Sequence, residues 1–339
     1  MQRRNFAFVS FAFALLLAFV ATVAPAPAVQ THLTHIYYIM MENQSFDEVI
    51  GRHKASEYAP YTKDIFDTPF ITSLLLKYGI NTLNFGTTHP SLPNYLSTIA
   101  GDYYGIQDDN PSCYSLPKPA AGTCDKATGM NIADQLEAKG MTWATLQQSM
   151  PSVGYLGVQF PVNPKGPTHY AQKHNPFLYF SQIATNPARL KNVIPLKNMG
   201  DLTANLNRNF LFIVPDECHD MHGTSDCSNY DALLKEGDDY VKALVLTIQG
   251  SAYWKTGSAI ILTWDEDDYS SNLGCCGSIF NNGGGHTAMI VMTPGYKSAM
   301  YVATPSNHYD ELSSMEQEFG LTKLGKAAME PPTLLPLFL

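Results

Sequence analysis

Three observations predict an α/β fold built on a largely parallel sheet. Four short runs, 35–40, 209–214, 259–263 and 287–292, are continuously apolar, β-branched or aromatic, as strands buried on both faces must be. Helix-compatible stretches lie at 68–78, 131–139, 230–249 and 310–319, and their alternation with the strands argues for crossover connections. The composition agrees. A chain of 339 residues that is 45% hydrophobic and 15% charged can bury a large core, while 22 Pro and 24 Gly speak for long loops rather than a helical bundle.

Ahead of the first strand, Arg3 and Arg4 precede an apolar run from Phe6 to Val23 and the small-residue ending Ala24-Pro25-Ala26-Pro27-Ala28. This reads as an export signal over 1–28, leaving 29–339 as a single domain. A membrane anchor is the competing reading, because the run approaches the roughly 20 residues that span a bilayer. The A-x-A ending and the lack of a positive stop beyond it favour cleavage, hence a secreted or periplasmic protein with no stable membrane anchor. Arg3-Arg4-Asn5-Phe6 suits either the twin-arginine or the general secretory route. With 21 Lys+Arg against 30 Asp+Glu, a net charge of -9, the chain has no basic footprint for nucleic acid. Of its six cysteines, Cys113/Cys124 and Cys218/Cys227 read as disulfide staples of local loops, as export permits. Cys275 and Cys276 are left unassigned, and no C-x-x-C spacing suggests a zinc ribbon.

Three of the strands end in acid. The first runs into Met41-Glu42-Asn43, the second into Pro215-Asp216-Glu217 and the third into Trp264-Asp265-Glu266-Asp267-Asp268. In an open parallel sheet the carboxyl ends of the strands share one edge, where ligands bind. Glu42, Asp216 and Asp265 are therefore expected to converge, and like charges so crowded call for a divalent cation. Taken singly, each is also an ordinary turn former.

The segment Gly86-Thr87-Thr88-His89-Pro90-Ser91-Leu92-Pro93-Asn94-Tyr95 precedes a helix-like run. Two prolines fix the entry, so Ser91 is placed where helix N–H groups favour an anion and could face a phosphate; a plain N-cap serine is the alternative. Neither G-x-S-x-G nor H-E-x-x-H occurs, which removes the common serine-hydrolase and zinc-peptidase readings. His219 and His222 follow the second strand and His286 opens the fourth, all within reach of the same edge. His308 competes between a site role and a capping region, Asp108-Asp109-Asn110 reads as a solvated loop, and 111–122 as an irregular insertion rimming the substrate.

The order Met41-Glu42-Asn43-Gln44-Ser45-Phe46, His89-Pro90-Ser91-Leu92-Pro93-Asn94-Tyr95, Pro215-Asp216-Glu217-Cys218-His219-Asp220-Met221-His222 and Trp264-Asp265-Glu266 resembles the phosphoesterase family of bacterial phospholipases C and secreted acid phosphatases. The closing segments Gly285-His286-Thr287 and Asn307-His308-Tyr309-Asp310-Glu311-Leu312 extend the resemblance over nearly all of the mature chain. It implies an alkaline-phosphatase-like three-layer α/β fold, with Glu42 and Asn43 as metal ligands, Ser91 as nucleophile, and Asp265 with Glu266 as the second acidic pair. Some similar phosphatases carry two Asp in that pair, so Glu266 is a departure that bears on metal preference.

The chemistry then expected is metal-dependent hydrolysis of a phosphate monoester through phosphoserine on Ser91, with His89 and Asn94 binding substrate and His222 or His286 moving protons. Oxygen ligands suit Mg, Ca or Mn, and nearby histidine admits Zn or Fe. The substrate is a phosphate-ester small molecule or a phospholipid. A phospholipase C or other phosphodiesterase is the near rival, and a noncatalytic metal-stabilised binding protein the distant one.

Overall fold

The computed structural model describes residues 32–51, 68–110, 127–163, 165–271, 273–278 and 283–338, all within the compact unit Thr31–Leu339. The export signal, the insertion at 111–122 and the Cys113/Cys124 pair lie outside the described residues.

The strands are β1 His35–Met41, β2 Gly79–Phe85, β3 Trp143–Gln148, β4 Gln159–Phe160, β5 Tyr170–Ala171, β6 Val193–Leu196, β7 Phe210–Val214, β8 Ser258–Trp264, β9 His286–Met292, β10 Met300–Val302 and β11 Ser306–Asn307. The helices are α1 Phe46–Ile50, α2 Pro69–Leu75, α3 Ser91–Ala100, α4 Ile132–Ala138, α5 Ser181–Ala184, α6 Pro187–Leu190, α7 Met199–Thr203, α8 Tyr230–Gln249 and α9 His308–Glu318. The main sheet has the order β10-β2-β9-β8-β1-β7-β3-β6, with β11 on β2 and a separate β4-β5 ribbon.

β1, β3, β6, β7 and β8 pair in parallel, whereas β9 runs antiparallel to both β8 and β2. The reversal matters for function. The carboxyl ends of β1, β7, β8 and β2 reach the same edge as the start of β9, so Glu42, Asp216, Asp265 and the loop to Ser91 are gathered there.

The continuous apolar runs are strands covered on both faces. Ile36, Tyr38 and Met40 of β1 join Phe210 and Phe212 in one core with α3, α4 and α9. Tyr37, Ile39 and Met41 join Leu211 and Ile213 in the other with α1, α2, α7 and α8. A side-chain period of two on each strand thus feeds two cores, giving three layers.

α3 is buried along its whole length, an unusual setting for its five hydroxyl and amide residues. Ser97 donates to the Pro93 carbonyl (2.8 Å) and Thr98 to the Asn94 carbonyl (2.9 Å), so their hydroxyls are satisfied within the helix. Gly101 closes α3 at φ +67° against the Leu324 carbonyl, where any side chain would collide. Cys218 and Cys227 are bonded, as expected, and the adjacent Cys275 and Cys276 are bonded to each other.

Two buried carboxyls on α9 make stability depend on pH. Burial pushes Glu316 up to about 8, with the Leu324 N–H and Lys323 offsetting it only in part, and pushes Asp310 up to about 7. A carboxyl raised in the folded state contributes stability that is whole below its unfolded value near 4.5 and is lost as pH rises through about 8. Glu316→Gln is expected to raise the thermal midpoint at pH 8 by about 2 °C or more while changing it by under about 1 °C at pH 4.5. Equal shifts at the two pH values, read by calorimetry, contradict this.

Candidate active site

Ser91 is the first residue of α3, after Pro90, with its side chain turned into the acidic edge. Its Oγ lies 3.0 Å from Glu42 Oε2 and 3.3 Å from Glu266 Oε1, so the hydroxyl donates to one carboxylate or the other. Asn43 completes the group. The end of its amide lies 3.0 Å from Glu266 Oε1 and 3.2 Å from Glu42 Oε2, and its backbone N–H donates to Asp265 Oδ1 at 3.2 Å. Lys173 Nζ donates to Ser91 Oγ at 3.4 Å and pairs with Asp109 Oδ2 at 3.1 Å.

Behind Glu42 stands a second group that the strand-end pattern does not reveal. His174 Nε2 is 3.0 Å from Glu42 Oε1, and its Nδ1 faces Glu217 Oε1 (3.6 Å) and Asp220 Oδ2 (3.7 Å). Glu217 Oε2 pairs with His222 Nδ1 at 2.8 Å. Asp216, the acid expected from the end of β7, is instead tied to His219 (2.6 Å) and Ser149 (2.6 Å). Its neighbours Glu217 and Asp220 take the inward places.

The other expected residues divide. His89 Nδ1 is 2.6 Å from Glu266 Oε2, and its ring stacks on Tyr269 at 4.0 Å. Asn94 accepts from the Thr87 (2.9 Å) and Thr88 (3.0 Å) N–H groups and donates to the Thr88 carbonyl (2.7 Å). Its amide shapes the turn before Ser91 instead of standing free for substrate. His286 is set apart: its ring stacks on Phe46 at 4.6 Å and its Nε2 meets the Thr82 carbonyl at 2.9 Å, in the wall of a separate cavity of about 240 Å³ with Ser45 and Ser271. The antiparallel β9 brings it to the edge but turns it away from Ser91.

His308, read equally as a capping-region residue, lies beneath the site. Its Nε2 meets the Asp265 carbonyl (2.6 Å) and its Nδ1 meets Glu311 Oε2 (3.1 Å). Glu311 is held in turn by Tyr38 and by Asn84 Nδ2 (3.0 Å). Asp109 is not merely solvated: it accepts the Leu92 N–H at 2.9 Å and holds Lys173. Lys173 and His174 were missed because they fall in the short 170–180 segment, outside any strand-end pattern. The available signal was a Lys-His pair in a short polar run, Gln172 to Asn175, just ahead of an apolar and aromatic one.

Crowding governs the electrostatics. Burial, with Glu42 and Glu266 nearby, pushes Asp265 well above the carboxylate range, and burial with Glu217 and Glu42 does the same to Asp220. Burial likewise raises Glu266 to about 7, although His89 opposes it. Glu42 goes the other way: burial would raise it, but His174, Lys173 and His222 outweigh that. For His222, burial is outweighed by Glu217, which pushes it up to about 10 and keeps it an imidazolium at neutral pH.

A metal was expected at Glu42, Asn43, Asp265 and Glu266. Two tight groups of potential ligand atoms elsewhere, His169/Cys218/Asp226 and Cys276/Asp310/Glu330, each rely on a cysteine that is already in a disulfide, so neither offers a thiolate. The residues beside Ser91 fit a cation better. Glu42 Oε1, Asp220 Oδ2, Asp265 Oδ2 and His174 Nε2 are buried with no hydrogen-bond partner, although the first and last lie close as an ion pair. Ser91 Oγ and the end of the Asn43 amide each lie 3.0–3.3 Å from one oxygen of Glu42 and one of Glu266. Oxygens around an octahedral cation with bonds of about 2.1 Å are separated by about 3 Å.

A family model for the Phosphoesterase family matches residues 59–322. The chain belongs to the Phosphoesterase family. This phosphoesterase is 29% identical over 303 residues to a phosphatidylinositol-3-phosphatase of Mycobacterium tuberculosis, covering 88% of the chain and 81% of the relative. It is 26% identical over 295 residues to a probable acid phosphatase of Kluyveromyces lactis, covering 86% and 59%, and 28% identical over 258 residues to a phosphate-repressible acid phosphatase of Penicillium chrysogenum, covering 75% and 55%. The chain thus spans little more than half the length of these fungal relatives. Among solved structures it resembles a protein of the alkaline phosphatase superfamily from Vibrio parahaemolyticus, with TM-score 0.54 and 13% identity over 89% of the chain and 71% of the other. That likeness is one of fold, an α/β architecture with a largely parallel central sheet.

Asn94 offers a direct check on the geometry around Ser91. Asn94→Ala strands two buried N–H groups and a carbonyl, and is expected to cost about 2–3 kcal/mol of stability. A loss below about 0.5 kcal/mol in denaturant unfolding contradicts its role as the clasp of this turn.

Proposed function

We propose that this phosphoesterase is an exported, metal-dependent phosphomonoesterase that works through a phosphoserine on Ser91. The observation that carries the reading is the set of contacts on one buried hydroxyl. Ser91 Oγ touches two carboxylates that can receive its proton and one ammonium that can hold a phosphoryl oxygen. Lys173 favours a monoester, whose dianion gains more from a positive group than a diester monoanion does.

Glu42, Asn43, Asp265 and Glu266 would hold the cation, and the unpartnered Asp265 Oδ2 supports that assignment. A bound divalent ion supplies neutralisation of the crowded carboxylates and lowers the pKa of a coordinated hydroxyl. The protein's own groups do the rest. The Ser91 Oγ–P bond forms as the bond from phosphorus to the leaving oxygen breaks, and the serine proton passes to the carboxylate that already accepts it. His222, with Nδ1 engaged by Glu217 and Gly223, donates from Nε2 to the leaving alkoxide. The now neutral His222 takes a proton from water as the water oxygen bonds to phosphorus, the Ser91 Oγ–P bond breaks, and the carboxylate returns its proton to Ser91. His89 orients Glu266, while His286 takes no part.

The leader at 1–28 supports export. Among the described residues no helix is long and apolar enough to cross a membrane. A small phosphate ester and a lipid-borne phosphate are both open as substrate, the second because one relative is named a phosphatidylinositol-3-phosphatase. Phosphodiester hydrolysis is the alternative.

The test is turnover of a chromogenic phosphate monoester, of its diester analogue and of a phosphoinositide, before and after chelation and metal return. Monoester turnover is expected to fall by about 10³-fold or more in Ser91→Ala and on chelation, and to return only with cation. Retained activity in Ser91→Ala contradicts the nucleophile, and faster turnover of the diester moves the assignment to a phosphodiesterase.

A further inference from the structure

Asp109 makes two contacts that together resemble those of a bound phosphoryl group. One oxygen accepts the Leu92 N–H in the first turn of α3 (2.9 Å), and the other pairs with Lys173 Nζ (3.1 Å). The same ammonium lies 3.4 Å from Ser91 Oγ. The N–H and the ammonium are thus the donors beside the hydroxyl at which phosphorus must arrive, and a carboxylate already occupies both. Glu42 and Glu266 are the acceptors of that hydroxyl. The Asp109 side chain retains 29% exposure, against 18% for Lys173, so it approaches from the solvent side and can leave toward it.

We propose that Asp109 is a specificity-determining residue that competes with the substrate's phosphoryl oxygens for Lys173 and the Leu92 N–H, so that anion binding requires its displacement. The inference rests on the part of the proposed function that seats a phosphate beside Ser91. Its consequence is weaker hold on inorganic phosphate: when product forms, a tethered carboxylate stands ready to retake the two donors. The competition is electrostatic, so it acts more strongly on a dianion than on a monoanion.

The experiment measures binding of inorganic phosphate to the metal-replete wild-type protein, Asp109→Asn and Asp109→Ala by calorimetry, with phosphate inhibition of monoester turnover in parallel. Both variants are expected to bind phosphate dianion about five- to tenfold more tightly, and a diester monoanion only about two- to threefold more tightly. In a Lys173→Met background the gain from Asp109→Asn should fall by at least about half, because the contested donor is gone. Unchanged or weaker phosphate binding in both variants overturns the proposal and makes Asp109 a support for Lys173. The same holds if the wild type and both variants bind no phosphate. A gain that persists in full with Lys173→Met also overturns it. Tighter phosphate binding without turnover in any form upholds the inference while removing the proposed catalytic function, so the two fail separately.

Discussion

Five buried carboxylates at one sheet edge, Glu42, Glu217, Asp220, Asp265 and Glu266, are the constraint around which the rest of the molecule is arranged. Taking one such group out of water is costly, and crowding several multiplies the cost unless positive charge answers it. The protein answers with the charges of His222 and Lys173, and sets the imidazoles of His89 and His174 against Glu266 and Glu42. The answer is incomplete: Asp265 Oδ2 keeps no partner, and crowding pushes Asp265 and Asp220 well above the ordinary carboxylate range. An edge short of positive charge is the setting in which the proposed cation would act.

The scaffold supports this edge from below. β1 and β8 lie in full parallel register, so Met41 and Trp264 end level and Glu42 and Asp265 emerge side by side. His308 then braces the Asp265 carbonyl, and Glu311, Asn84 and Tyr38 brace His308. His308 faces acceptors through both ring nitrogens, and although burial works against its charge, Glu311 outweighs it. Gly86 permits the other approach. A side chain there would strike the Asp265 and Gly284 carbonyls, so only glycine lets the loop carrying Ser91 cross directly over the end of β8.

Much of this was legible in the residues alone. The four apolar runs became β1, β7, β8 and β9 nearly at the expected bounds, because strands buried on both faces need uninterrupted apolar sequence. The helix at 230–249 was legible through its periodic apolar face, and the start of α3 through two prolines. β2 and β3 were harder, since Gly79–Phe85 and Trp143–Gln148 mix polar with apolar side chains and spend them on hydrogen bonds inside the protein. Nor could a linear pattern show that Glu217 and Asp220, not Asp216, point inward, since a tight turn after β7 decides it. Lys173 meets Ser91, His174 meets Glu42 and Asp109 meets Lys173 only through tertiary contacts, and no local spacing encodes such meetings.

On the proposed reading these acids hold a divalent ion beside Ser91. The most direct test is elemental analysis of the purified protein at neutral pH, set beside the same measurement on Glu42→Gln and Asp265→Asn, with folding checked by circular dichroism. The account predicts at least about one tightly held divalent ion per folded chain, lost from both variants, and a thermal midpoint that drops on chelation in the wild type alone. A folded wild-type protein that takes up no divalent ion, and whose midpoint is indifferent to chelator and to added cation, would contradict it.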